Sequence, residues 1–120
     1  MIEELIGRVF TARNLAHLEH WKTTGVGSFA RHSALGDFYD GIIDKLDGIV
    51  EAYIAYFGDI GEPRDIAPKV TALVPLITVD AAWITKNRSE IAKGVPAIEN
   101  MIDDLVGLYL HTLYKLKRLS

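Results

Sequence analysis

The sequence contains no cysteine, which excludes disulfide bonds, thiolate metal sites and cysteine nucleophiles. It also has no apolar run approaching the roughly 18 residues that a membrane span requires. The acidic residues Glu3 and Glu4 interrupt the start, so the first residues do not resemble a signal peptide. We therefore expect a soluble, cytoplasmic protein that does not associate with membranes.

A large excess of one charge is also absent, since 13 basic residues stand against 16 acidic ones and the formal net charge is -3. This balance gives no general attraction to nucleic acid. A lysine-rich tail is absent as well, so the sequence does not favour DNA binding. At 120 residues, of which 49% are hydrophobic, the chain is long enough for one core but not for two. We expect a single domain over residues 1–120.

Apolar residues recur every three or four positions in three long segments, which predicts amphipathic helices. The first segment covers residues 2–22. The second covers residues 29–57, with Ser28 as its N-cap and Gly58 as its stop. The last begins at Pro96, a residue that suits the first position of a helix.

A shorter helix is predicted between the second and last segments, over residues 78–93 with Thr78 as its N-cap. Residues 59–77 contain three prolines and are not expected to form one long helix, although a short turn around residues 69–74 fits the pattern. No segment alternates apolar and polar residues as a strand would. The expected fold is all-α, an up-down four-helix bundle with a shortened third helix.

Four residues form a candidate metal site. His20 and His32 flank the first predicted turn, and Asp47 and Glu51 lie one turn apart on the second helix. Imidazole nitrogen and carboxylate oxygen together suit iron and its divalent neighbours. At a rise of about 1.5 Å per residue, Asp47 and Glu51 lie about 22 and 28 Å along the helix from His32. One chain therefore cannot close the site, whereas a second, antiparallel copy related by a two-fold axis can.

Other residues of the second helix support two interpretations. Asp37, Asp40 and Asp44 extend the acidic stripe, which either guides metal ions or is simply a solvated helix face. Gly41 and Gly48 lie seven residues apart inside the helix, where glycine costs up to about 1 kcal/mol relative to alanine. We interpret these glycines as allowing two copies of the helix to approach closely across the two-fold axis.

The chain resembles the Dps-type mini-ferritins, members of the ferritin-like superfamily. The resemblance rests on the order and spacing of His20-Trp21, Gly25, Phe29, His32, Phe38-Tyr39, Asp47 and Glu51. Phe29 is displaced by one position from the family pattern, and the chain is shorter than typical members. In its length it is similar to short mini-ferritin-like proteins of phage and environmental sequences.

The resemblance implies a ferritin-like fold and a catalytic di-iron site shared between two subunits. His20 and His32 of one chain and Asp47 and Glu51 of the other would bind the iron, with zinc or manganese as alternative ions. Trp21 would lie beside this site. Ferrous iron would be oxidised there by peroxide or oxygen, in protection against oxidative stress. The assembly would be at least a homodimer, and in that family it is a twelve-subunit shell that stores ferric mineral.

Two alternatives remain. The chain could be a non-catalytic, dimeric helical bundle that serves as an interaction or virion-associated module, with a structural metal or none. His17 and His20 could also bind zinc as a pair three residues apart, although His17 fits better as a neighbour of the ligands. A di-iron site inside a single bundle is not expected, because such sites use Glu-x-x-His and no histidine here follows a glutamate at that spacing.

Overall fold

The computed structural model describes residues 1–63 and 72–119, and every regular element in those ranges is a helix. The four-helix, all-α architecture expected from the sequence is therefore confirmed. None of these helices is long and apolar enough to cross a membrane. The helices are α1 (Ile2–Lys22), α2 (Ser28–Phe57), α3 (Leu73–Ala92) and α4 (Pro96–Arg118).

Each helix packs against two neighbours, in the order α1, α2, α4, α3 and back to α1. Contacts between side chains show that α2 and α4 are antiparallel. Lys45 pairs with Asp104, while Asp37, which precedes Lys45 in α2, pairs with Lys115, which follows Asp104 in α4. The helices α1 and α2 form an antiparallel hairpin.

The second and third helices run parallel, so the predicted up-down order is wrong. Lys93, at the end of α3, places its ammonium 5.2 Å from the ring centre of Tyr53 and 4.7 Å from that of Phe57. Tyr53 and Phe57 lie in the last turns of α2. Because α2 and α3 finish at the same end of the bundle, the last residue of α2 and the first residue of α3 lie at opposite ends of it.

The third helix is not shortened. It has 20 residues against 21 in α1, and it begins at Leu73 rather than after Thr78. Pro75 lies in its first turn, where backbone N–H groups have no partner within the helix and proline is tolerated. The short turn expected around residues 69–74 falls mainly outside the described residues.

The core lies along the bundle axis and is built from the predicted apolar stripes. Phe38 of α2 and Tyr109 of α4 are both fully buried, and their rings meet edge to face at 5.2 Å. Burial of a side chain of this size contributes about 1.5–3 kcal/mol. This rigid interior fixes the relative positions of α1 and α2, which carry the candidate site.

The core also contains a carboxylate that the sequence pattern did not single out. Asp80 of α3 is only 1% exposed. Its Oδ1 accepts a hydrogen bond of 2.9 Å from Arg8 of α1, and its Oδ2 accepts one of 3.5 Å from the hydroxyl of Tyr109. Burial raises the pKa of Asp80 from 3.8 to about 6, against the opposing effect of the Arg8 guanidinium.

Candidate metal centre

The two histidines of the predicted site meet at the turn between α1 and α2. His20 lies in the last turn of α1, and His32 lies near the start of α2. Gly25 and Gly27 between them have φ values of 93° and 76°, a conformation that glycine adopts without strain. Gly27 is the N-cap, so Ser28, predicted to cap α2, is instead its first residue. The tight turn brings the two imidazoles together.

His20 and His32 are linked by a reciprocal pair of hydrogen bonds. The Nδ1 of His20 lies 2.9 Å from the carbonyl oxygen of His32, and the Nδ1 of His32 lies 3.2 Å from that of His20. The two rings stack with their centres 3.5 Å apart and their planes 27° from parallel. The backbone carbonyl groups of His20 and His32 therefore fix the orientation of the two imidazole rings.

These hydrogen bonds determine which nitrogen of each ring is free. A carbonyl oxygen can only accept, so each Nδ1 must carry the proton and donate. In a neutral imidazole, the Nε2 of His20 and of His32 then keeps its lone pair. A ring nitrogen that binds a metal commonly has its partner N–H bonded to a carbonyl in this way. The two Nε2 atoms are thus suited to bind a metal ion.

Gly36 makes room for the imidazole of His20. A Cβ atom at position 36 would lie 3.4 Å from Cε1 and 3.6 Å from Nδ1 of that ring. A larger side chain on this face of α2 would displace the imidazole. This role could not be assigned from the sequence, because a glycine inside a helix does not reveal which neighbour it accommodates.

Three further aromatic rings surround the histidine pair. Tyr39 stacks on His17 with ring centres 4.1 Å apart, and it meets His20 edge on at 5.2 Å. His17 also contacts Trp21 at 4.2 Å. Trp21 is therefore near the pair through His17, and it is 67% exposed.

The two acids of the predicted site lie far from the histidines within one chain. α2 is continuous over Ser28–Phe57, as the predicted separation required, and Asp47 and Glu51 are exposed on it. Among the described residues neither carboxylate has an ion-pair partner, whereas Asp37 pairs with Lys115 at 3.5 Å. Across residues 1–63 and 72–119, no three histidine, aspartate or glutamate side chains of one chain are grouped to hold a metal.

The glycines of α2 have different surroundings from those expected. A Cβ atom on Gly41 would lie 3.3 Å from Cδ2 of Leu108 in α4, so Gly41 faces a neighbouring helix of its own chain. A Cβ atom on Gly48 would have no atom within 4 Å, and Gly48 lines an open groove beside Met101 of α4. The interpretation of Gly41 as a contact between two chains is therefore wrong.

Charge is distributed unevenly along the bundle. Among residues 1–63 and 72–119, the exposed or half-buried basic side chains around the histidine pair outnumber the acidic side chains of Glu19 and Asp37. These basic residues are Lys22, Arg31, Lys115, Lys117 and Arg118. Toward the opposite end, the acidic side chains of the described residues outnumber the basic residues Arg8, Lys45, Arg88 and Lys93, most of which form ion pairs with acids there. These acidic residues include Glu3, Glu4, Asp47, Glu51, Asp59, Glu62, Glu99 and Asp103. Because the basic and acidic residues nearly balance over the whole chain, the composition does not reveal that the two charges lie at opposite ends.

The sequence profile of a family of unknown function, DUF5856, matches residues 20–116. The chain belongs to this family. A protein of Enterobacteria phage T4, described as an uncharacterized 14.6 kDa protein in the mobD-ri intergenic region, is 27% identical over 118 residues. That alignment covers 95% of this chain and 86% of the phage protein. No solved structure matches the chain. The family match begins at His20 and includes His32, Asp47 and Glu51.

Proposed function

We propose that the protein is a ferroxidase of the mini-ferritin type that oxidises ferrous iron at a site shared by two subunits. The histidine pair is the observation that carries the proposal. Both Nδ1 atoms donate to backbone carbonyls, which leaves the Nε2 atoms of His20 and His32 free to bind a metal ion. The exposed position of His32 makes the pair accessible to an ion and to a second chain.

The remaining ligands would come from the partner. Asp47 and Glu51 are exposed and form no ion pair among the described residues. In an antiparallel dimer, each chain would supply its histidines to one site and its carboxylates to the other. Carboxylates favour the ferric product, and a small number of protein ligands leaves coordination positions for the oxidant.

The order and direction of the helices support a ferritin-like fold. In this bundle α2 and α3 run parallel, so that the last residue of α2 and the first residue of α3 lie at opposite ends. Ferritin-like bundles have one such long crossover connection.

The chemistry is a balanced transfer of electrons from iron to peroxide. Two ferrous ions each give up one electron. One hydrogen peroxide molecule takes up both electrons and two protons, its O–O bond breaks, and two water molecules form. The protein binds the iron in place and keeps the two ions close together. Storage of the ferric product in a twelve-subunit shell, and the use of oxygen as oxidant, remain predictions from the resemblance.

The proposal is tested by titrating ferrous iron into the protein without oxygen, then adding hydrogen peroxide, on material whose mass in solution is known. We expect about one to two irons oxidised per chain, because the two-fold axis creates two equivalent sites per dimer, hence one site per chain, and each site would hold one or two irons. Ferric absorption and the iron content after gel filtration give the stoichiometry. Uptake beyond this ratio would indicate storage.

A folded dimer that neither binds nor oxidises iron would overturn the proposal. That result would instead favour a non-catalytic helical bundle that acts as an interaction or virion-associated module. The same titration with zinc or manganese distinguishes a bundle that binds a structural metal from one that binds no metal. Binding of these ions without oxidation of iron would indicate a structural metal site.

A further inference from the structure

We propose that the end of the bundle that carries the α1–α2 turn docks on the surface of a bilayer containing anionic lipids. The turn surface, as we call it, consists of the exposed apolar side chains of Trp21, Val26, Phe29 and Leu119 and the basic side chains around them. It uses neither a bound metal nor the Nε2 atoms of the histidine pair. The proposal therefore does not rest on the ferroxidase activity and is testable in metal-free protein.

Large apolar side chains from four segments are exposed at this end. Trp21 lies in the last turn of α1, and Val26, in the turn itself, is fully exposed. Phe29 is 84% exposed in the first turn of α2, and it leans toward the turn because side chains of a helix point toward its start. Leu119, which follows α4, lines the same shallow depression as Val26. Exposed apolar side chains grouped in this way are typical of an interaction surface.

Basic side chains surround these apolar groups. Lys22, Lys117 and Arg118 are exposed, and they form no ion pair within residues 1–63 and 72–119. Arg31 and Lys115 add positive charge that is partly neutralised, since each pairs with an acid of its own chain. A basic residue close to an anionic bilayer strengthens binding by about fivefold. The unpaired cations are therefore complementary to acidic lipid headgroups.

The chemistry of the turn surface fits a bilayer better than a nucleic acid. Val26 projects into solvent, so it can enter the boundary between headgroups and acyl chains, as the apolar side chains of surface-bound proteins do. Tryptophan favours the same layer. Val26 and Leu119 are aliphatic and cannot stack on bases, which is how single strands are commonly bound. The net charge of -3 also disfavours a long polyanion.

The charge distribution of the bundle favours an end-on approach. Anionic headgroups attract the basic end and repel the acidic end, so the turn surface meets the bilayer first. A contact of this kind needs no membrane-spanning helix, because its apolar side chains come from separate segments of the chain. The lack of a long apolar run therefore does not exclude it.

Binding to vesicles tests the proposal. Metal-free protein would be centrifuged with vesicles of phosphatidylcholine alone and with vesicles that also contain phosphatidylserine. We expect binding to the mixed vesicles and little to the neutral ones, with a weaker interaction at high salt because exposed charges are screened. In a Trp83→Phe variant, Trp21 is the remaining tryptophan of the two in the chain. Its emission should shift to shorter wavelength on the mixed vesicles.

Two pairs of matched variants locate the contact. Val26→Ser should bind several-fold more weakly, whereas Val79→Ser should bind like the wild type, because Val79 is an exposed valine of α3. Lys117→Gln should lower the affinity about fivefold. Lys93→Gln, at the opposite end of the bundle, should leave it unchanged. Far-ultraviolet circular dichroism would verify that each variant is folded.

Three results would overturn the proposal: no binding to the mixed vesicles, equal binding to both kinds of vesicle, or equal effects of Val26→Ser and Val79→Ser. Binding of a single-stranded oligonucleotide in the absence of vesicle binding would also reject it and would assign the basic end to nucleic acid. Iron oxidation by a protein that does not bind vesicles would retain the ferroxidase and reject the turn surface alone. Vesicle binding without iron oxidation would do the reverse.

Discussion

His20 and His32 each donate a hydrogen bond from Nδ1 to the backbone carbonyl oxygen of the other, at 2.9 and 3.2 Å. The arrangement fixes both imidazole rings before any ion binds, so that binding an ion costs little side-chain conformational entropy. It also couples the candidate site to the fold. The end of α1 and the start of α2 cannot separate without breaking both hydrogen bonds.

Gly36→Val should impair metal binding without unfolding the bundle. A Cβ atom at position 36 already lies 3.4 Å from the His20 ring, so a branched side chain would push the imidazole away. We expect ferrous oxidation to fall at least about tenfold, since supporting groups of a metal site typically contribute factors of 10–100. Peroxide-dependent iron oxidation and far-ultraviolet circular dichroism would be measured together.

Gly48→Val is the control for this experiment. It makes the same change in helix propensity within α2, but a Cβ atom at position 48 meets no atom within 4 Å. Its iron oxidation should match that of the wild type. Equal losses in both variants would attribute the effect to the helix rather than to His20.

His32→Ala and Asp47→Ala should each abolish ferrous oxidation when pure and recover it when mixed. In the proposed dimer, a pair formed from the two variants has one site that lacks both altered ligands and one that is intact. Random exchange of subunits at equal amounts should restore about a quarter of the wild-type activity. Activity would be followed after partial unfolding and refolding of the mixture, with hybrid formation checked by mass spectrometry. Hybrids that form but remain inactive would contradict a site shared between chains.

Helix positions followed from the sequence because the apolar period directly reflects which face is buried. The start of α3 did not, since a proline usually indicates the end of a helix, whereas Pro75 lies in the first turn of α3. Helix direction could not be derived either, because an amphipathic pattern is the same whichever way the helix runs. The parallel arrangement of α2 and α3 is therefore known only from contacts such as that of Lys93 with Tyr53.

For the candidate site, the sequence predicted that His20 and His32 would lie together, because a tight turn joins the ends of an antiparallel hairpin. It could not predict the protonated nitrogens, which depend on the two carbonyl contacts. The sequence also could not predict which side chains lie next to Gly36 and Gly41. A glycine marks a close approach but does not identify what approaches.

Gly41→Leu should destabilise the single chain rather than weaken a dimer. The new side chain would enter space occupied by Leu108, whose Cδ2 would lie 3.3 Å from a Cβ atom at position 41. Overpacking of this kind typically costs about 1–3 kcal/mol. Urea unfolding would measure the loss, and the double variant with Leu108→Ala should recover part of it. Gly48→Leu is the control and should be at least as stable as the wild type, because leucine favours the helix over glycine and a Cβ atom at position 48 meets no atom within 4 Å. A Gly41→Leu variant as stable as Gly48→Leu would reject the packing argument.

Asp80→Asn should change how stability depends on pH. The pKa of Asp80 is about 6 in the folded protein, above its ordinary value of 3.8, so the folded state binds the proton more tightly than the unfolded chain. Protonation of this group therefore stabilises the fold as the pH falls from 7 to 5, by on the order of 1 kcal/mol. Asparagine cannot titrate, so this contribution should disappear in the variant.

Urea unfolding of both proteins between pH 5 and pH 7 isolates this effect, because all other groups are shared and cancel in the difference. Asparagine keeps an oxygen that accepts a hydrogen bond from Arg8, and Arg8 retains its ion pair with Glu4 at 3.0 Å. The variant should thus remain folded, which keeps the comparison meaningful. If the difference in the free energy of unfolding between the two proteins does not change with pH, Asp80 is ionised throughout this range. The Arg8 ion pair would then outweigh the cost of burying the charge.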